Sequence, residues 1–136
     1  MAYQEIPNSV ATFMQEITER CGNEHADWAK NFNAAFANTL LTTVKRHEDG
    51  TTFLLTGDIP AMWLRDSTAQ VRPYLVIAKE DEELAAMISG LVKKQFFYIT
   101  IDPYANAFNE AANGAGHQSD LTEMNDWIWE RKYEID

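Results

Sequence analysis

Between Thr56 and Ser67 the chain reads Thr-Gly-Asp-Ile-Pro-Ala-Met-Trp-Leu-Arg-Asp-Ser, which puts Asp58, Trp63, Arg65 and Asp66 close together in sequence. Those residue types can hold a neutral polyol. Carboxylates accept hydroxyl hydrogens, a guanidinium offers five fixed donors to oxygen, and an indole covers an apolar ring face. Gly57 and Pro60 interrupt regular structure on either side of Asp58, so the stretch reads as a loop between two apolar runs, a usual place for binding chemistry. The same residues also allow a plainer role. Asp66 or Ser67 can cap the helix that follows, with Arg65 as an ion-pair partner of Asp58 or Asp66. An arginine beside a carboxylate favours its charged form, which suits a hydroxyl acceptor and is wrong for a general acid.

A second candidate is His117, which follows Gly114-Ala115-Gly116. Glycines let a backbone approach a ligand closely and an imidazole can donate to a hydroxyl, although a loop histidine is also simply a solvated one. Trp127 offers another flat face for a sugar ring or fills the core. Glu130, Arg131, Glu134 and Asp136 form either a site rim or a salt-bridged segment. His25 and His47 have no such surroundings and read as surface residues. Metal chemistry finds no support, because no His-x-x-x-His, Cys-x-x-Cys or Asp-x-Asp cluster is present. No dinucleotide fingerprint appears, since the Gly114/Gly116 pair does not join a strand to a helix, and neither does a Gly-x-Ser-x-Gly nucleophile elbow.

To position these groups the chain has 136 residues, of which 46% are hydrophobic and 24% charged. That is enough for one ordinary domain with a real core. A net charge of −10 argues against nucleic acid and anionic membrane surfaces, which call for clustered Lys and Arg, and is compatible with a neutral sugar. The single cysteine, Cys21, allows no internal disulfide. No basic-then-apolar leader opens the chain and no apolar run approaches a membrane span, so a cytoplasmic setting is the expectation.

Ser9 is expected to cap a first helix carrying Val10, Phe13, Met14 and Ile17, closed by Cys21-Gly22-Asn23. A second helix is expected from about Glu24 to Leu41, with Trp28, Phe32, Ala35, Phe36 and Thr39 on one face. Thr42–His47 and Thr51–Leu55 then read as a small β-hairpin near residues 42–55, turned at Asp49-Gly50. A third helix is expected from near Ser67 to near Ala78, with Pro73 disturbing it. A fourth opens at Asp81, with Leu84, Met87, Ile88, Leu91, Val92, Gln95 and Phe96 as its buried stripe. Residues 102–120 form a long aperiodic stretch, a length uncommon in loops without a function. Trp127 and Trp129 then stand two apart, as in a strand.

Three blocks in order resemble the metal-independent α-mannosidases of glycoside hydrolase family 125. They are Thr56–Ser67, then Asp102-Pro103-Tyr104-Ala105-Asn106-Ala107-Phe108-Asn109 running on through Gly114–His117, then Trp127-Ile128-Trp129-Glu130-Arg131-Lys132-Tyr133-Glu134-Ile135-Asp136. The resemblance implies a mainly α fold, part of an (α/α) toroid of six helical hairpins, with residues 1–136 as the N-terminal portion of a single toroid domain truncated at its C-terminal end. It implies an exo-acting glycosidase that removes terminal α-1,6-linked mannose with inversion and without a metal or other cofactor. Arg65, Asp66, His117, Asp58 and Trp63 would then bind a mannose-containing oligosaccharide, with the catalytic acid and base lying beyond Asp136. The alternatives are another helical-toroid glycosidase or lyase, or a non-catalytic α-helical carbohydrate-binding module.

Overall fold

The computed structural model describes residues 2–117 and 125–132. Gln118, Ser119, Asp120, Glu134 and Asp136, which the sequence places in or beside candidate blocks, lie outside the described residues. The fold is mainly helical. Helix α1 (Asn8–Cys21) packs against α2 (Ala26–Asn38), which unwinds through a π-helical turn (Thr39–Thr43) into β1 (Val44–Arg46). β2 (Thr52–Leu54) pairs antiparallel with β1 through Val44↔Leu54 and Arg46↔Thr52, so the hairpin expected from Asp49-Gly50 is present. β3 (Met62–Trp63) leads straight into α3 (Leu64–Val71). A 3₁₀ turn (Arg72–Tyr74), α4 (Leu75–Ala78) and the long α5 (Glu82–Ile101) follow. β4 (Ala107–Phe108) and β5 (Ile128–Glu130) complete a second antiparallel sheet, in the order β3-β4-β5.

The core lies where α5 crosses β2. Phe53, Leu54, Leu84, Met87, Leu91 and Tyr98 are buried there. Tyr74 reaches across to donate its hydroxyl to the Phe36 carbonyl, and burial pushes its phenol up to about 12. Asp81 caps α5 as expected, its Oδ1 accepting from the Leu84 amide at 2.9 Å.

Several expectations are corrected. Ser9 does not cap α1. Its hydroxyl donates instead to Asp81, tying α1 to the start of α5, and the helix begins at Asn8 behind Pro7. Proline is pre-set for the entry to a helix. Trp28 is 67% exposed and stacks on His25 at 4.5 Å, so it leaves the α2 core face to Ala29 and Phe36. The third helix starts at Leu64 rather than Ser67 and breaks into three pieces around Pro73, whose missing N–H cannot continue the ladder. On α5, Val92 and Phe96 face outward, while Gly90, Lys94 and Tyr98 are buried in their place. His47 is half-buried rather than on the surface, bonded to Glu110 Oε1 at 3.0 Å. Finally, α5 is long and apolar enough to cross a membrane by length and composition, contrary to the sequence expectation. It carries Lys93 and Lys94, and Leu84, Met87, Leu91 and Tyr98 on it belong to the core.

Candidate functional site

The β3-β4-β5 sheet gathers the three sequence blocks. Register pairs Trp63 with Ala107 and Ala107 with Glu130, so β4 from the second block joins β3 from the first to β5 from the third. The loop before β3 is stapled at its ends, with the Thr56 amide donating to the Ala61 carbonyl at 3.1 Å and the Trp63 amide donating to Thr56 Oγ1 at 2.9 Å. Asp58 is carried at the exposed tip of this loop. Asp66 sits in the first turn of α3, whose N-cap position is Trp63, so the capping role open in the sequence does not apply to Asp66. Ser67 turns inward, its hydroxyl donating to the Leu64 carbonyl at 3.0 Å and accepting from Gln95 at 2.9 Å.

The loop carrying His117 is held by a residue that the sequence did not single out. Asn109 is buried, and its side-chain amide donates to the carbonyls of Ala115 and Asp126 at 2.9 and 3.0 Å. Its own carbonyl accepts from the Tyr98 hydroxyl at 2.7 Å. Burial raises the Tyr98 phenol far above its ordinary value, so that donor stays protonated. Gly116 then passes so close to β5 that a Cβ there would stand 2.2 Å from the Trp129 carbonyl oxygen. The His117 amide donates to that same oxygen at 2.7 Å.

These devices converge on a cleft of about 270 Å³ lined by Thr56, Gly57, Asp58, Ile59, Trp63, Asp66, His117, Trp129 and Glu130. Of the five residues expected to bind substrate, Asp58, Trp63, Asp66 and His117 are brought together in its wall. Arg65 is not among the lining residues; its Nη2 lies 3.3 Å from Asp66 Oδ2 and its guanidinium carbon 5.6 Å from the centre of the Trp63 ring. Trp127 is not part of the cleft. It packs edge-on to Phe97 at 5.0 Å, with Lys94 Nζ 4.9 Å from its ring centre. Trp129, two residues on, lines the cleft instead; Trp127 lies in the turn before β5 and so does not follow the strand's alternation.

Glu130, which the sequence left between a site rim and a salt bridge, is both. Its side chain is 5% exposed, and its Oε2 lies 2.7 Å from His117 Nδ1 and 3.2 Å from Lys132 Nζ. Arg131 points the other way, its Nε donating to Asp102 at 2.6 Å. The cleft thus offers carboxylate acceptors, an imidazole and two indoles, with Arg65 beside Asp66 and Lys132 beside Glu130. Among the described residues no group of three or more His, Cys, Asp or Glu is placed to hold a metal ion. The arrangement can grip hydroxyls and cover a ring face.

Residues 25–136 match the family described as metal-independent alpha-mannosidase, GH125. The chain is 36% identical over 140 residues to the meiotically up-regulated gene 157 protein of Schizosaccharomyces pombe, taking in 94% of this chain and 27% of that protein. It also matches a solved metal-independent alpha mannosidase structure, a Streptococcus pneumoniae non-productive substrate complex with alpha-1,6-mannobiose. That match has a TM-score of 0.90 and 49% identity, and covers 97% of this chain and 31% of that one. The chain therefore spans under a third of the length of either relative.

Proposed function

Because the chain belongs to glycoside hydrolase family 125, the metal-independent alpha-mannosidases, we propose that the full-length protein is an exo-acting mannosidase and that the cleft described above grips its terminal sugar. The observation that carries this reading is the meeting of Asp58, Trp63 and Asp66 from the first block of sequence with His117 from the second, in one cleft. The solved relative holding alpha-1,6-mannobiose supports mannose as the sugar and α-1,6 as the linkage.

The same proposal assigns the bond-breaking carboxyls to residues outside 1–136 and the whole domain to a closed toroid of helical hairpins. Inverting hydrolysis needs one protonated carboxyl on the leaving oxygen and one charged carboxyl about 6.5–9.5 Å away to activate water. Asp66 is engaged by Arg65, and Glu130 by His117 and Lys132. Carboxylates so placed suit acceptors of sugar hydroxyl hydrogens.

The test is titration of a non-hydrolysable α-mannoside into wild type and Asp66→Ala. Loss of a charged acceptor from a sugar hydroxyl is expected to weaken binding by about 1–3 kcal/mol. Equal affinities would remove Asp66 from the site.

A further inference from the structure

We propose that Glu130 is a positioning residue: it takes the Nδ1 hydrogen of His117, fixes the tautomer of the ring, and so presents Nε2 to the ligand as an acceptor of a hydroxyl hydrogen. This rests on the reading of the cleft as a sugar site. The geometry is specific. The imidazole is about half exposed, whereas the carboxylate is buried, and Oε2 to Nδ1 is 2.7 Å. Lys132 Nζ holds the same oxygen from the other side at 3.2 Å.

Neither partner of the dyad is free to drift. The Glu130 carbonyl accepts from the Asn106 amide at 2.9 Å, and the Lys132 amide donates to Asn106 Oδ1 at 2.7 Å, which clamps the chain at Glu130 and just beyond it. The His117 backbone is pinned to Trp129. Glu130 Oε1, by contrast, is buried without a hydrogen-bond partner. A buried acceptor left unmade is costly, so this carboxylate is poorly explained as a saturated structural ion pair. The imidazole it orients is what the arrangement secures.

A neutral imidazole has one N–H and one bare nitrogen, and the partner of the first decides the second. With Nδ1–H on the carboxylate, Nε2 is bare. His117 then receives a hydrogen from the ligand, the reverse of the donor role expected from sequence. A sugar hydroxyl has such a hydrogen to give. A phosphorylated or uronic sugar would present an anion to a cleft already lined by Asp58, Asp66 and Glu130, so the dyad also favours a neutral sugar.

Two measurements on the full-length protein test this: long-range ¹H–¹⁵N spectra of labelled histidine without ligand, and titration with a non-hydrolysable α-mannoside. In the pH range where its ring is neutral, wild type should show His117 with Nδ1 protonated and Nε2 bare, assigned by loss of the signal in His117→Asn. Glu130→Gln keeps an acceptor oxygen and should keep that tautomer and bind within a few fold of wild type. Glu130→Ala should lose the tautomer and bind about tenfold more weakly, the worth of one oriented hydrogen bond. If the alanine variant does not fold, wild type and the glutamine variant decide the matter. An Nε2–H ring in wild type beside normal mannoside binding overturns the dyad alone. An Nδ1–H ring in a wild type that binds no mannoside overturns the sugar reading, and with it the ligand half of the proposal. A glutamine variant that loses the tautomer, or binds as poorly as the alanine variant, overturns the orienting role.

Discussion

Among the described glycines, Gly116→Ala should damage the cleft most. A Cβ at 116 would lie 2.2 Å from the Trp129 carbonyl oxygen, 2.6 Å from its Cα and 2.8 Å from its carbonyl carbon. All three are backbone atoms of a paired strand and cannot swing aside as a side chain would. The backbone at 116 also has φ of +114°, a region that L residues rarely adopt. Keeping the native path would cost about 1–3 kcal/mol in backbone strain and a similar amount in overpacking. Lifting the loop off β5 avoids both but gives up the hydrogen bond from the His117 amide to Trp129 and the His117–Glu130 contact, each worth about 1 kcal/mol. The cheaper route wins, so the loss of stability is capped at about 2–3 kcal/mol.

Gly57→Ala is the internal comparison. Gly57 has φ of +65° but nothing within 4 Å of its Cβ position, so it carries strain without a clash, about 1–2 kcal/mol. Thermal melting and mannoside titration of both variants separate the effects. Gly116→Ala should melt lower than Gly57→Ala and lose most of its binding, because His117 leaves the cleft wall. A Gly116→Ala protein that melts and binds like wild type would refute the close approach on which the site geometry depends.

Acid should destabilise the fold through Asp81 and Glu110. Hydrogen bonds from Ser9 and the Leu84 amide hold the Asp81 carboxyl below its ordinary value; for Glu110, burial acts upward but the hydrogen bonds of Lys45 and His47 outweigh it. Both folded values lie below the unfolded ones, so their stabilisation is present above about pH 4 and lost as pH falls through the folded values; melting temperature against pH should show this, and Asp81→Asn should flatten it. At the alkaline end Tyr3 and Tyr74, pushed up to about 12 by burial, contribute stability that is full below about pH 10 and lost as pH rises through the folded values. Chelator should leave mannose release by the full-length protein unchanged, and loss in EDTA restored by one metal would overturn the metal-independent reading. Leu75, Val76, Val92, Phe96 and Ile99 on α4 and α5 are all exposed, so the purified 136-residue chain should associate; a monodisperse monomer by light scattering would count against that face being unfinished.

Local chemistry made the hairpin and the cap of α5 legible in the sequence. Asp49-Gly50 calls for a tight turn and Asp81 for a helix start, and both lie within a few residues of what they specify. The burial of α5 was misread because its outer face is as apolar as its inner one. Phe96, 64% exposed, fits a hydrophobic stripe no worse than Tyr98 does. Periodicity cannot choose between two apolar faces, and the choice is made by the hairpin that α5 crosses.

The site was legible in part for a related reason. Asp58, Trp63 and Asp66 lie on one loop and the helix it enters, so proximity in sequence already implied proximity in space. Glu130 and Trp129 enter the same cleft only because β4 pairs with both β3 and β5, a long-range pairing with a register shift at Ala107/Phe108 that spacing does not announce. Strand alternation does not choose between the tryptophans, because residues two apart share a face; Trp127 leaves the cleft because β5 begins only at Ile128 and Trp127 lies in the turn before it. Asn109, an ordinary loop residue in sequence, matters for the same cause. Its amide ties residues 115 and 126 together, and without that tie the glycine-rich loop would have no fixed place against β5 and His117 no fixed distance from Glu130. What the sequence carried plainly was the kind of chemistry; what it hid was the pairing of short strands that gives the chemistry its geometry.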